Sequence, residues 1–301
     1  MDVVVTGSSG LIGSALVSAL KAAGHRPIAM VRSAPKGDQI GWDPAKGTID
    51  AASLEGIDAV VHLAGAGIGD HRWSDAYKRE IKDSRTKGTA LLGETLASLD
   101  KRPHVLLSGS AVGYYGDRGE ETCTESSAPG TGFLADVCVA WEQAAGLAPA
   151  AGIRTCFLRT GIVLSADGGA LRKQLPIFKL GFGGTIAGGR QWWSWITIDD
   201  HVAAMMHLLA SDVAGPVNLT APNPATNREF TRALGATLRR PTALPIPKFG
   251  PKLLLGGELA KALLFDGQKV LPTVLQSDGF TFGQPTLEGA LRHVLGRSAA
   301  A

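Results

Sequence analysis

Apolar residues follow two periods along the first half of the chain. Asp2-Val-Val-Val-Thr6 is a β-branched run that predicts a buried strand, and behind a glycine turn Ile12, Ala15, Leu16, Ala19, Leu20 and Ala23 recur at helical spacing. Gly24 ends that helix, and Pro27-Ile-Ala-Met-Val31 returns as a second strand. Ala59-Val-Val-His-Leu-Ala-Gly65 is a continuous apolar run closing in small residues, as a central parallel strand requires. A helix over 74–98 with a basic face follows, then a strand at Val105-Leu-Leu-Ser108, a helix over 133–150 and a strand at Arg154-Thr-Cys-Phe-Leu-Arg159. Alternating strands and helices of this kind predict an α/β fold, a Rossmann-type doubly wound parallel sheet.

From Ser165 the texture changes. Glycine pairs surround a short amphipathic segment before Trp192-Trp193-Ser-Trp195, where clustered aromatics predict a core or a domain seam. Helices are expected near 200–210, 228–238, 252–264 and 286–295, with a strand at Val217-Asn-Leu-Thr220. Pro241, Pro245, Pro247, Pro251 and Pro272 punctuate the last part, which reads as a compact appended lobe. The expected division is a dinucleotide-binding domain of 1–164 and 192–221 and a smaller C-terminal lobe of 165–191 and 222–301, with 298–301 frayed.

Composition narrows the function classes. A hydrophobic content of 45% supports a packed core, and a net charge of +3 without a long basic block does not suggest a nucleic-acid partner. No basic leader precedes an apolar run and no apolar segment approaches membrane-spanning length, so a cytoplasmic protein that engages no membrane is expected. Cys123, Cys138 and Cys156 are odd in number and lack metal-ligand spacing, which predicts reduced thiols and no metal site. Asn218-Leu-Thr220 fits a glycosylation acceptor formally but reads as strand and turn.

The candidate chemistry begins at Gly7-Ser-Ser9-Gly10-Leu11-Ile12-Gly13. Gly7 permits the sharp turn, Gly10 lets the backbone approach a pyrophosphate, and Gly13 lets helix pack on strand, while free N–H groups at the helix start bind the anion. Where an acidic residue would hold the ribose of NAD stands Arg32, which can pair with a 2′-phosphate, so the expected cofactor is NADP(H). Leu63, Ala64 and Gly65 would let the cofactor pass closely, and the hydroxyls of Ser108, Ser110, Tyr114 and Tyr115 follow the next strand, where nicotinamide and substrate would meet. Trp42 either packs on the adenine face or covers the core edge, and His62 reads as a packed strand histidine.

Thr6-Gly7-Ser-Ser-Gly10-Leu-Ile-Gly13, His62-Leu-Ala-Gly65, Ser108-Gly-Ser110 and Tyr115-Gly116 together resemble the extended short-chain dehydrogenase/reductase superfamily. The narrower resemblance is to the atypical epimerase-related family whose members carry a C-terminal domain of unknown function and are sometimes labelled cell-division inhibitors. Gly41-Trp42-Asp43-Pro44, Ser84-Arg85, Arg159-Thr-Gly161, Gly189-Arg-Gln191, Ser194-Trp195-Ile196, Asp199-Asp200 and Gly279-Phe280-Thr-Phe282 carry it across nearly the whole chain. The resemblance implies NADP(H) on a Rossmann-type domain and a smaller lobe closing a cleft over a small-molecule substrate. Superfamily members often form homodimers.

Superfamily enzymes use Ser, Tyr and Lys, with the last two spaced Tyr-x-x-x-Lys so that the lysine readies the phenol for proton exchange. None of the three tyrosines fits that spacing, and counting back from Trp141-Glu142 puts Leu134 and Cys138 where the pair belongs. Ser110 matches the superfamily serine and would hydrogen-bond the substrate oxygen. Tyr114 or Tyr115 would act as proton donor with Arg118 nearby, unless both rings simply pack at the strand end. Arg85 stands near a cofactor-side asparagine of the superfamily, which counts it among the cofactor-binding residues, and it either binds an anionic substrate or lies on the surface; Cys138 reads as an inert buried thiol. Two functions follow: an NADP(H)-dependent oxidoreductase or epimerase-like enzyme on an unknown small molecule, or an NADP(H)-sensing regulator without turnover.

Overall fold

Val3, Val4 and Val5 are all fully buried in β1 (Asp2–Thr6), so both faces of this strand are covered and it lies at the centre of a sheet. In this computed structural model, which describes residues 1–297, the sheet has eight strands; the fraying expected at 298–301 lies outside the described residues. The chain leaves β1 through α1 (Leu11–Ala22) to β2 (Arg26–Val31), β3 (Ile40–Asp43) and β4 (Thr48–Ile49), building one side. It then crosses to β5 (Ala59–His62), which pairs with the other edge of β1, and runs through α2 (Asp75–Ser98) to β6 (Val105–Ala111). The spatial order is β12-β8-β6-β5-β1-β2-β3-β4, where β8 is Arg154–Thr160 and β12 is Gly215–Leu219. Every neighbouring pair is parallel except β3 with β4. This is the Rossmann-type doubly wound sheet that the alternating pattern predicts.

Alternate strand residues face opposite layers. Val3, Val5, Val61, Leu107 and Leu158 pack with Leu16 and Leu20 of α1 and with Met205 and Leu208 of α6 (Ile198–Ala210). Val4, Ile28, Val60 and Leu106 pack with Leu92 and Leu96 of α2. Trp42 belongs to the second layer, buried with its ring edge-on to His62 at 5.8 Å, so it covers the core and is not an adenine platform. The helix expected over 133–150 is two: α3 (Phe133–Ala144) and α4 (Leu147–Ala150). Pro149 has no N–H to give the Ala145 carbonyl, so the α-helical ladder lapses there.

β7 (Thr122–Cys123) pairs with β14 (Lys269–Val270), β9 (Ile162–Leu164) with β11 (Trp195–Thr197), and β10 (Trp192–Trp193) with β13 (Ala225–Thr226). A third core joins α5 (Gly169–Lys179), α7 (Asn227–Leu238) and α11 (Leu287–Val294) around Trp193, Trp195 and Phe230. Trp193 and Trp195 thus pack away from the sheet, whereas Leu275 of α10 (Thr273–Ser277) packs into the first layer, so the two halves of the chain interleave. The helix expected over 252–264 is divided into α8 (Phe249–Leu255), α9 (Gly257–Ala260) and a π-turn, Lys261–Phe265. Gly256, at φ +90°, breaks it.

Two histidines sit fully inside this structure, and burial pushes both His62 and His201 down to about 4. Each is neutral when folded, whereas the unfolded chain protonates it below about pH 6.5, so the unfolded state binds more protons as pH falls. Thermal melts should therefore show stability dropping from about pH 6.5 toward pH 4, each histidine contributing up to about 1.4 kcal/mol per pH unit. His62→Gln should flatten that slope; a wild-type profile level across the window would contradict the assignment.

Candidate functional site

The winding reverses between β1 and β5, and there the crevice for a ligand opens at the carboxyl ends of the strands. Gly7 turns at φ +65°, and a first side-chain carbon on it would lie 3.1 Å from the Leu63 carbonyl group. At Gly13 such a carbon would lie 2.2 Å from the Gly7 carbonyl oxygen, a contact only glycine avoids. Gly10 caps α1 without a side chain and no acid stands in the first turn, so the leading N–H groups at Leu11, Ile12 and Gly13 stay free of side-chain acceptors. Ser9 is exposed beside them, Leu11 reaches under Gly168, and Arg32 stands exposed just beyond the end of β2. A dinucleotide pyrophosphate fits this cradle.

The floor of the crevice is tied by a buried polar chain. Thr6 Oγ1 accepts from the N–H groups of Leu63 (3.0 Å) and Ala64 (3.1 Å). Its own hydrogen therefore goes to His62 Nδ1 at 2.8 Å, which leaves Nε2–H to donate to Thr89 Oγ1 at 3.0 Å. Thr89 Oγ1 also accepts from Trp141 Nε1 at 3.0 Å. His62 is thus a strut between sheet and helices, as its place in an apolar strand predicts.

On the other side of the crevice the serine behaves differently from expectation. Ser110 donates to Glu142 Oε1 at 2.7 Å, and Glu142 holds Arg159 through both oxygens, at 2.8 and 2.9 Å. The Ser110 hydrogen is therefore committed, and the hydroxyl presents only its lone pairs to a ligand. It is not free to polarise a carbonyl. Ser108 lies beneath the site: it is 0% exposed, and its hydroxyl has no hydrogen-bond partner among the described residues.

The two tyrosines separate. Tyr115 is 0% exposed; its hydroxyl donates to Asn218 Oδ1 at 2.7 Å and accepts from Arg159 at 3.0 Å, and burial raises its pKa to about 12. It is a packed ring, not an accessible proton donor. Asn218, equally buried, serves this bond and is no glycosylation acceptor. Tyr114 is half-buried, has no hydrogen-bond partner for its hydroxyl among the described residues, and carries the Arg159 guanidinium 3.5 Å from its ring centre. Arg118 is not the cation beside either phenol, since it binds the Tyr115 carbonyl (2.9 Å) and Glu121. Leu134 and Cys138 pack against Gly113 in the turn after β6, and burial pushes the Cys138 thiol up to about 12, so it is inert.

Arg85 lies across Gly65, where a side-chain carbon would sit 3.4 Å from it, and stacks 5.0 Å from the Trp141 ring centre. Nη1 donates to the carbonyls of Ala66 (2.9 Å) and Ile81 (3.0 Å). Burial lowers its pKa from the ordinary arginine value. Among the described residues no group of three or more His, Cys, Asp and Glu is placed to hold a metal ion, and no helix is long and apolar enough to cross a membrane.

Glu142, Arg159 and Asn218 complete this site, and the sequence reading did not assign them to it. The signal for Arg159 is present, a charged residue inside an apolar strand; its partner stands 17 residues back on α3, which spacing alone does not reveal.

Residues 3–220 match the NAD dependent epimerase/dehydratase family, and residues 246–294 match a domain of unknown function, DUF1731. The chain is 42% identical over 297 residues to an epimerase family protein of Mycobacterium bovis, Mb2239, covering 98% of each. It is 39% identical to the chloroplastic SDR39U1 homolog of Arabidopsis thaliana, covering 98% of this chain and 87% of that one. The crystal structure of human epimerase family protein SDR39U1 with NADPH superposes with a TM-score of 0.91 at 34% identity, over 98% of this chain and 99% of that one. The cradle, the strand order and these matches agree: the chain belongs to the NAD dependent epimerase/dehydratase family.

Proposed function

We propose that the protein binds NADP(H) along the Gly7–Gly13 turn and Arg32 and exchanges hydride with a small molecule, Tyr114 handling the proton. The NADPH in the human relative supports the cofactor. Bound there, the cofactor supplies or accepts the hydride. The observation that carries the reading is Tyr114, whose hydroxyl is unclaimed and whose ring lies on Arg159, next to the carboxylate that holds Ser110. In the reducing direction the phenol O–H gives its proton to the substrate oxygen as hydride reaches the carbon; in the oxidising direction it takes that proton back. Ser110 positions the substrate by accepting a hydrogen bond, since its own hydrogen stays on Glu142. Cytoplasmic location belongs to the same reading.

Tyr114→Phe is expected to lower turnover by about 100-fold or more while NADPH affinity stays within about threefold. Unchanged turnover would overturn the role. A second reading, an NADP(H)-sensing regulator without turnover, is favoured by Leu134 and Cys138, which put no acid, base or cation on the helix face that meets the turn after β6. Under that reading the protein's bound partners differ between NADP⁺ and NADPH, and no substrate is consumed.

A further inference from the structure

Three of the buried or half-buried arginines have a carboxylate or three backbone carbonyls to answer them. Arg159 has Glu142, Arg118 has Glu121, and Arg154 is satisfied by the carbonyls of Leu208, Leu209 and Val213. Arg85 has only two carbonyls, both on one nitrogen. Among the described residues no carboxylate lies within ion-pair distance of it, and Nε and Nη2 donate to no protein acceptor, although Nη1 is fully engaged. Two donors of a planar fork are thus left over on a half-buried cation, open to water or to a ligand.

The fork is held still. Trp141 stacks beneath it, Gly65 leaves room above, and Trp141 is itself fixed by its bond to Thr89 at the end of the Thr6–His62 chain. Its neighbour on α3, the neutral Cys138 thiol, offers no charge to answer it. Such a held, unanswered guanidinium matches a planar or tetrahedral oxyanion.

That oxyanion is not one of the cofactor's phosphates under the function proposed above, on which this inference rests. Those phosphates go to the start of α1 and to Arg32 beyond β2, whereas Arg85 lies past the end of β5, on the side of the reversal that carries β6 and Ser110. The geometry points to Arg85 as a subsite for an anionic group, a carboxylate or a phosphate, carried by the small molecule that meets the nicotinamide.

The test is calorimetric titration of the NADPH-loaded protein with oxalate, with inorganic phosphate, and with neutral acetamide. Oxalate or phosphate should bind and acetamide should not. Binding by one anion alone tells carboxylate from phosphate, and either result supports the subsite. Arg85→Gln should weaken the anion by about tenfold or more while the NADPH affinity changes by less than about threefold, and Arg85→Lys should recover part of the loss.

Three results would overturn the inference: no anion bound by the wild type, equal anion binding by Arg85→Gln, or loss of NADPH affinity in step with the anion. The last would make Arg85 a cofactor residue. Should Arg85→Gln not fold, Arg85→Lys decides, since a point charge without the fork should still bind the anion measurably more weakly. Failure of the hydride-transfer reading is seen separately, as the absence of any product labelled from deuterated NADPH, whereas a labelled but uncharged product contradicts the subsite alone.

Discussion

Gly13→Val is expected to abolish measurable NADPH binding. The first carbon of any side chain at this position meets the Gly7 carbonyl oxygen at 2.2 Å and the Ser8 Cα at 2.8 Å, all backbone atoms of the turn itself. Neither can move without displacing the start of α1 from the end of β1, and that spacing aims the free N–H groups at the pyrophosphate. Affinity should fall by about 100-fold or more, with about 1–3 kcal/mol of stability lost to overpacking. Gly24→Ala is the contrast. Gly24 adopts φ +77° with nothing within 4 Å of a side-chain carbon, so the substitution should cost about 1 kcal/mol in backbone strain and leave NADPH affinity alone. Isothermal titration and thermal melts of the two variants separate the effects, and tight NADPH binding by Gly13→Val would refute the cradle.

Removing the carboxylate of Glu142 is expected to be the most destabilising single change near the site. Arg159 and Glu142 side chains are 4% and 12% exposed, and the pair also organises Ser110, Tyr115 and Tyr114. Glu142→Ala leaves a buried guanidinium facing no anion, which should cost about 3–5 kcal/mol. Replacing both partners together, Glu142→Leu with Arg159→Met, removes the stranded charge and should cost much less than the sum of the single changes. A double-mutant cycle by chemical denaturation measures this. Additive losses would show that the ion pair does not act as a unit.

The scaffold of this site was legible in the sequence because periodicity and glycine spacing report directly on backbone geometry. The run Asp2–Thr6, the turn Gly7–Gly13 and the return at Arg32 each depend on neighbours within a few residues, and the structure places them around one crevice. The polar partners were not legible, because they are set by where separate elements meet. Ser110, expected from the resemblance to meet the substrate, gives its hydrogen to Glu142, 32 residues away. Tyr114 and Tyr115 are adjacent in sequence, yet one hydroxyl is locked by Asn218, 103 residues on, and the other is unclaimed. Arg118, close in sequence to both rings, spends its guanidinium on Glu121 and backbone carbonyls, while Arg159 arrives from a different strand. Helix breaks at Ala145 and Gly256 escaped the periodicity because the apolar pattern continues through them.

Hydride exchange at the crevice is open to a deuteride-transfer experiment. The protein would be incubated with NADPH deuterated at C4, in each stereochemical form, together with a small-molecule cell extract, and products read by mass spectrometry. Deuterium is expected in one product, from one of the two forms only, with that label lost in Tyr114→Phe. Tight NADPH binding in the same preparation with no label in any product would contradict it, and would leave the protein as a sensor of NADP(H).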